Sequence, residues 1–386
     1  MSTRLLKVAE RASISPFHVM DVLSAANARQ RAKGDVVSLA AGQPSAAAPR
    51  PVLAAAAAAL AGPLGYTEQL GVPELRERIA GHYERRYAMA VDPTEVVATT
   101  GSSGGFLLAF LAAFDAGDRV ALTRPGYPAY RNILTALGCE VVDVPCGPDT
   151  GFQPTADMLA EVGPIDGLIL ASPANPTGSV LPAGELAAIA GWCAERGVQL
   201  VSDELYHGIQ FGEQAPTSAW QYSREAIVVN SFSKYFAMTG WRLGWLLVPD
   251  RLRHAVDCLT GNFTICPPVP SQRAALAAFE PESYVELDEH VAGYRANRDR
   301  LVSGLNALSI DKIAPADGAF YLYVNVSHLT SDSMSFCQRL LAETGLAIVP
   351  GIDFDPVDGH RFVRLSFSGP AADIEAGLAR LGDWLG

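Results

Sequence analysis

The chain is short of lysine. Its 386 residues carry 29 Lys and Arg together, yet the lysines are only Lys7, Lys33, Lys234 and Lys312. Arginine supplies every other fixed cation, so each lysine raises the question of what an arginine would fail to do there. Other shortages exclude whole classes of function. Basic residues number 29 against 41 acidic ones, a net charge of -12. Phosphate backbones need a basic face, which argues against nucleic acid as a partner. No apolar run approaches the roughly 20 residues that span a bilayer, so no membrane partner is expected. The Ala-rich run from Leu53 to Ala61 is about half that length and, built from the best helix former, reads as a helix packed closely on a neighbour. The opening MSTRLLKVAERASISP is mixed throughout and has no signal-type apolar core. Six cysteines (Cys139, Cys146, Cys193, Cys258, Cys266, Cys337) are scattered without a CxxC pair. That spacing makes neither a zinc site nor a disulfide framework and points to inert thiols in a reducing cytoplasm. Repeats, low-complexity linkers and charge blocks are absent from the sequence as well.

What is present is an ordinary globular composition, 49% hydrophobic and 18% charged, in a chain long enough for more than one core. Short apolar runs at 96–98, 119–123, 168–170, 199–202, 227–230 and 245–248 read as strands. Helical stretches such as 106–114 and 184–196 separate several of them. Continuous apolar strands with intervening helices predict a mostly parallel sheet covered on both faces. This α/β large domain is expected over 46–285. After Pro281 the pattern changes to a long amphipathic helix (about 284–308), a strand within 319–326, a helix near 333–344, a strand at 362–367 and a closing helix. Residues 286–386 are therefore expected to form a smaller α+β domain, with residues 1–45 as an arm that packs partly with it.

Four polar clusters follow predicted strands, where ligands gather in parallel sheets. TTGSSGGF at 99–106 opens a helix. Its free N–H groups and helix dipole suit a phosphate, although a plain helix start would look the same, and no GK[ST] or GxGxxG accompanies it. SPANPTG at 172–178 is turn chemistry, either a loop before a helix or a place where Asn175 holds a ligand, with a neighbouring proline open to the cis form. VSDELY at 201–206 ends a strand on Asp203, a carboxylate that needs a partner if buried. That partner is a helix start, a structural ion pair or a charged ligand; metal-ligand spacing is missing. The last cluster is SFSKYFAMTGWRLGW at 231–245. Ser231 and Ser233 fall on the same side of an extended chain, and with Arg242 they suit a phosphate. Lys234 is then a further phosphate contact or a nucleophilic amine. Composition favours the amine, because only lysine forms an imine with an aldehyde.

With these residues in view, the chain resembles the class I/II aminotransferases among the fold-type I pyridoxal-phosphate enzymes. SFSKYFAMTGWRLG is specific for that family, and NPTG, DELY and the late FVRLSF follow in the family's order and spacing. The resemblance implies a seven-stranded sheet sandwiched by helices, pyridoxal 5'-phosphate as cofactor, and a homodimer with shared sites. Lys234 would carry the cofactor as a lysine aldimine and shuttle the substrate proton. Asp203 would pair with the pyridine nitrogen, and Tyr206 and Asn175 would bond the ring's phenolic oxygen. Ser102, Ser103, Ser231, Ser233 and Arg242 would hold the phosphate, and Tyr127 would stack on the ring. Tyr66 would reach the neighbouring subunit's phosphate. Arg364 would clamp the substrate α-carboxylate, with Asn175 and the backbone of Gly42 beside it. Tyr235, after the lysine, is bulkier than the small residue the family pattern leads one to expect.

The implied reaction is ping-pong transfer of an amino group from an α-amino acid to a 2-oxo acid such as 2-oxoglutarate. A β-lyase acting on cysteine conjugates, or a decarboxylase, shares the scaffold. A cofactor-sensing regulator would need a DNA-binding module in front, whereas only about 40 residues precede the large domain and the chain as a whole is acidic. No second arginine suggests itself for a side-chain carboxylate, so neutral or aromatic donors are expected, with Phe17, His18, Met20 and Tyr130 lining a pocket by the N-terminal arm.

Overall fold

The computed structural model describes residues 6–212 and 217–386. Its central sheet has seven strands in the spatial order Val96–Thr99, Gly244–Leu247, Ile227–Ser231, Gln199–Asp203, Gly167–Ala171, Arg119–Arg124, Glu140–Pro145. All run parallel except Gly244–Leu247, which is antiparallel to both neighbours. The six apolar runs read from the sequence are all strands, and five of them, Val96–Thr99, Gly167–Ala171, Gln199–Asp203, Ile227–Ser231 and Gly244–Leu247, are buried at every residue. Helices on both faces keep water from them, which is why such strands are continuously apolar rather than alternating. The seventh strand, Glu140–Pro145, lies at the sheet edge and is exposed at Glu140, Asp143 and Pro145. Its polar residues hide it from any search for apolar runs.

The helix Pro281–Ala307 connects this layer to the C-terminal unit. Near its start Glu286 pairs with Arg50. Further on, Asn297 donates to the carbonyls of Phe367 and Gly369. The C-terminal unit contains the antiparallel sheet Val349–Pro350, Phe362–Ser366, Tyr321–Asn325. The N-terminal segment joins it: Val37–Ser38 pairs in parallel with Leu346–Ala347. The next helix, Arg50–Leu60, packs on Val269–Ala275 as the Ala-rich run predicts, and Leu53 and Leu60 remain exposed on its other side.

Under the turn that bears Lys234 lies a buried aromatic cluster. Phe232 packs edge-on against Trp245, with ring centroids 5.0 Å apart, and Phe236 against Phe279 at 5.4 Å. Each such pair adds about 0.5–1.5 kcal/mol beyond its buried area. Two anchors flanking Lys234 thus hold its backbone, leaving the amine free to point the other way.

Candidate active site

The carboxyl ends of five parallel strands and one strand of the C-terminal unit converge on a single polar cluster. Asp203 ends its strand almost fully buried. Its Oδ1 accepts the Leu205 N–H at 2.9 Å, and its Oδ2 accepts the Tyr130 hydroxyl. Burial pushes its carboxyl up to about 6 despite these bonds. A carboxylate in that state gains most from a cation placed against it. Tyr130, expected to line a pocket by the arm, has this structural duty as well, since its ring also borders that pocket.

Lys234 follows the end of Ile227–Ser231. Its Nζ donates to the Gly42 carbonyl at 2.5 Å. Desolvation, reinforced by the charge of Arg364, brings its amine down to about 8. The amine is therefore close to neutral conversion near physiological pH, a state in which it serves as nucleophile or base. The hydroxyls of Ser231 and Ser233 lie 2.9 Å apart, as the spacing predicts. The reason differs: the strand stops at Ser231, and a tight turn, with Ser233 N–H donating to Ser231 Oγ at 3.0 Å, brings them together.

Arg242 lies exposed at the mouth of this turn, and its guanidinium covers the start of the helix Gly101–Ala113. A Cβ added at Gly101 would meet Arg242 Nη2 at 2.7 Å. Gly101 also holds φ +74°, so glycine is required twice over. Ser102 is half-buried and Ser103 exposed in the first turn of that helix. Free N–H groups, two serine hydroxyls and a guanidinium make an anion cradle.

Arg364 sits on Phe362–Ser366 and is 2% exposed. Its Nη1 donates to Asn175 Oδ1 at 2.9 Å and its Nη2 to the Ala40 carbonyl at 3.0 Å. Its Nε is buried without a hydrogen-bond partner among the described residues, a donor waiting for an acceptor. Asn175 precedes a cis peptide bond to Pro176. Tyr127 caps the helix Pro128–Leu137, with its ring 5.8 Å from that of Phe17. Tyr206 is buried, its hydroxyl 2.9 Å from that of Tyr321.

Tyr66 is 82% exposed and takes no part in the cluster within one chain. Met20 is 53% exposed, on the outer face of His18–Lys33, and does not border the arm pocket. His18 does border it, together with Ser15, Tyr127, Tyr130 and Asp353, while Phe17 reaches it through Tyr127. Tyr235 finds its explanation in Gly208. That glycine holds φ +98°, and a Cβ there would come within 2.4 Å of the Tyr235 ring. The ring fills the space the glycine leaves, Arg86 lies over it at 4.9 Å, and its hydroxyl donates to Asp288 at 2.7 Å. Tyr321 was missed altogether. It lies in a stretch legible only as a strand, and no local signal marks it.

Comparison with known proteins covers nearly the whole chain. The family model for aminotransferases of class I and II matches residues 34–381. The chain is 64% identical to a valine–pyruvate aminotransferase of Mycobacterium tuberculosis, over 98% of each chain. It is 34% identical to an aspartate/prephenate aminotransferase of Thermus thermophilus over 91% of each. Among solved structures, an aminotransferase from Mycobacterium tuberculosis superposes with a TM-score of 0.97 at 64% identity, covering 99% of both chains. The Thermus thermophilus aspartate aminotransferase with maleate does so at 0.93 and 32% identity, over 98% of this chain and 100% of that one.

Proposed function

Since the chain belongs to the class I and II aminotransferases, we propose that it moves an amino group from an α-amino acid with a neutral side chain to a short 2-oxo acid without a second carboxylate, in place of the 2-oxoglutarate expected from the sequence, with pyridoxal phosphate held by the strand-end cluster. The donor set fits that cofactor. The cradle of Ser102, Ser103, Ser231, Ser233 and Arg242 suits its phosphate, and buried Asp203 suits its pyridine nitrogen. Tyr206 and Asn175 suit its phenolic oxygen, Tyr127 its ring face, and Lys234 its aldehyde. When bound, the cofactor supplies the electron sink. The chain's own residues do the rest. Arg364 grips the α-carboxylate through a fork with a free Nε. Lys234, with its amine brought down to about 8, takes the proton from the substrate Cα and returns it on the other side of the exchange.

One observation carries the substrate class. The cations whose charge reaches Lys234 are Arg364 and Arg242, and this reading commits both, one to the α-carboxylate and one to the phosphate. Neither is then left to pair with a second substrate carboxylate beside Lys234 among the described residues. The valine–pyruvate specificity named for the 64% identical relative supports the same class. Single-turnover assays with valine, alanine, phenylalanine, aspartate and glutamate, then with pyruvate and 2-oxoglutarate, test it. In the donor half-reaction valine or alanine should exceed aspartate and glutamate, and in the acceptor half-reaction pyruvate should exceed 2-oxoglutarate, each by at least about tenfold in kcat/KM, the factor expected for a charge left unpaired. Preference for dicarboxylates would refute it, and release of pyruvate and ammonia from a cysteine conjugate would favour the lyase.

The exposed apolar residues Leu60, Leu64, Tyr66, Leu107, Phe263 and Ile265 support a homodimer in which Tyr66 reaches the partner's phosphate cradle. Exposed apolar side chains of this size favour a covering partner. Free cysteines throughout support a reducing, cytoplasmic setting.

A further inference from the structure

Tyr321 is 1% exposed and stands between two parts of the site that bind different groups. Its hydroxyl lies 2.9 Å from the Tyr206 hydroxyl. The Arg364 guanidinium lies over its ring, 4.3 Å from the centroid. A Cβ on Gly42 would meet its hydroxyl at 2.7 Å, so the glycine that accepts Lys234 also makes room for this group. It sits in register opposite Ser366, two residues beyond Arg364 on the neighbouring strand.

A tyrosine hydroxyl has one proton to give and can accept others. On the cofactor reading above, Tyr206 gives its proton to the ring's phenolic oxygen. Its contact with Tyr321 must then be one it accepts. We propose that Tyr321 is a positioning residue that donates its hydroxyl to Tyr206, strengthening Tyr206 as a donor to the cofactor and linking it to Arg364. Successive hydrogen bonds polarise one another, each strengthening the next. Burial pushes the Tyr321 hydroxyl up on balance, and the Arg364 charge opposes that rise, leaving it a better donor than burial alone would. A substrate carboxylate that neutralises Arg364 weakens this pull, so carboxylate binding is felt at Tyr206.

The test is a pH titration of the near-visible absorbance of the cofactor-loaded enzyme, which reports the proton on the lysine–cofactor linkage. A weaker donor at the phenolic oxygen leaves more negative charge there and holds that proton more tightly. Tyr321→Phe is expected to raise the midpoint by about 0.3–1 pH unit, and Tyr206→Phe by more. The double variant should titrate with Tyr206→Phe, because Tyr321 acts through Tyr206. Phe keeps a ring beneath Arg364, so the amino-acid KM should stay within about twofold. A wild-type midpoint in Tyr321→Phe, or shifts that add in the double variant, would overturn the proposal. Loaded wild type with no near-visible band would overturn the cofactor reading, and this proposal with it. If Tyr321→Phe fails to fold, the rise in the midpoint caused by a saturating monocarboxylate is compared between wild type and Tyr206→Phe: Arg364 acts on Lys234 directly in both, so a smaller rise in the variant supports the link through Tyr206, and an equal rise refutes it.

Discussion

Glu204→Gln should make the protein less sensitive to alkaline pH. Glu204 is 1% exposed and follows Asp203 directly. Its Oε1 accepts the Ala219 N–H at 2.8 Å and the hydroxyls of Ser218 at 2.9 Å and Ser202 at 3.2 Å. Its Oε2 has no hydrogen-bond partner among the described residues. His207 Nδ1 lies 3.5 Å away but is engaged by the Tyr87 hydroxyl at 2.6 Å. Burial holds that imidazole neutral, down to about 3, so it offers no charge. Desolvation therefore dominates, and the Glu204 carboxyl is pushed up to about 8. The folded protein keeps a proton that an unfolded glutamate releases near 4.5, so stability present at low pH is lost as pH rises towards 8. Each pH unit in that window costs about 1.36 kcal/mol. With saturation above 8, the loss between about pH 6 and about pH 9 comes to about 3 kcal/mol. Glutamine keeps the shape and the Oε1 bonds but cannot ionise. Urea unfolding of both proteins, at equal concentration and cofactor saturation, should show the variant gaining about 3 kcal/mol on wild type across that range. Titrations of Lys234 and Asp203 occur in both proteins and cancel in the difference. A difference that stays constant with pH would show that Glu204 ionises in the folded state at little cost, and the reasoning fails.

Two further substitutions test the packing and the carboxylate grip. Gly208→Ala forces a side chain onto backbone at φ +98° and into the Tyr235 ring at 2.4 Å; a loss of about 2–4 kcal/mol is expected in thermal or urea unfolding. Tyr235→Ala in the same chain should return part of it, and a loss below about 0.5 kcal/mol would mean the ring moves freely. Arg364→Lys replaces a fork that spans Asn175 Oδ1 and the Ala40 carbonyl by a single ammonium. The amino-acid KM should rise about 10- to 100-fold with a smaller change in kcat, and an unchanged KM would remove Arg364 from carboxylate binding.

Much of the fold was legible because burial on both faces writes itself into composition. Strands such as Gly167–Ala171 are apolar at every residue, and helices such as Ala183–Arg196 separate them. Glu140–Pro145 escaped for the converse reason: as an edge strand it exposes Glu140 and Asp143, and its sequence looks like a loop. The strand-end clusters were legible too, because the chemistry of an anion cradle demands glycine, hydroxyls and a fixed cation close together in sequence. Lys234 stood out through scarcity alone.

What escaped lies in contacts between residues far apart in sequence whose sizes compensate one another. Tyr235 looks out of place until Gly208 is seen to lack the atom that would collide with it. Tyr321 looks like any strand aromatic until Gly42 is seen to leave space for its hydroxyl. Tyr130 borders the arm pocket, yet its hydroxyl turns to Asp203. In each case one residue is informative only together with another more than 25 positions away, and periodicity and propensity carry no information about such pairs. The consequence is functional as well as structural. Both glycines border the lysine turn, Gly42 through its carbonyl and Gly208 through the ring beside Lys234. Enlarging either should displace the amine before it unfolds the sheet, so activity should fall at substitutions that leave the fully buried strands intact.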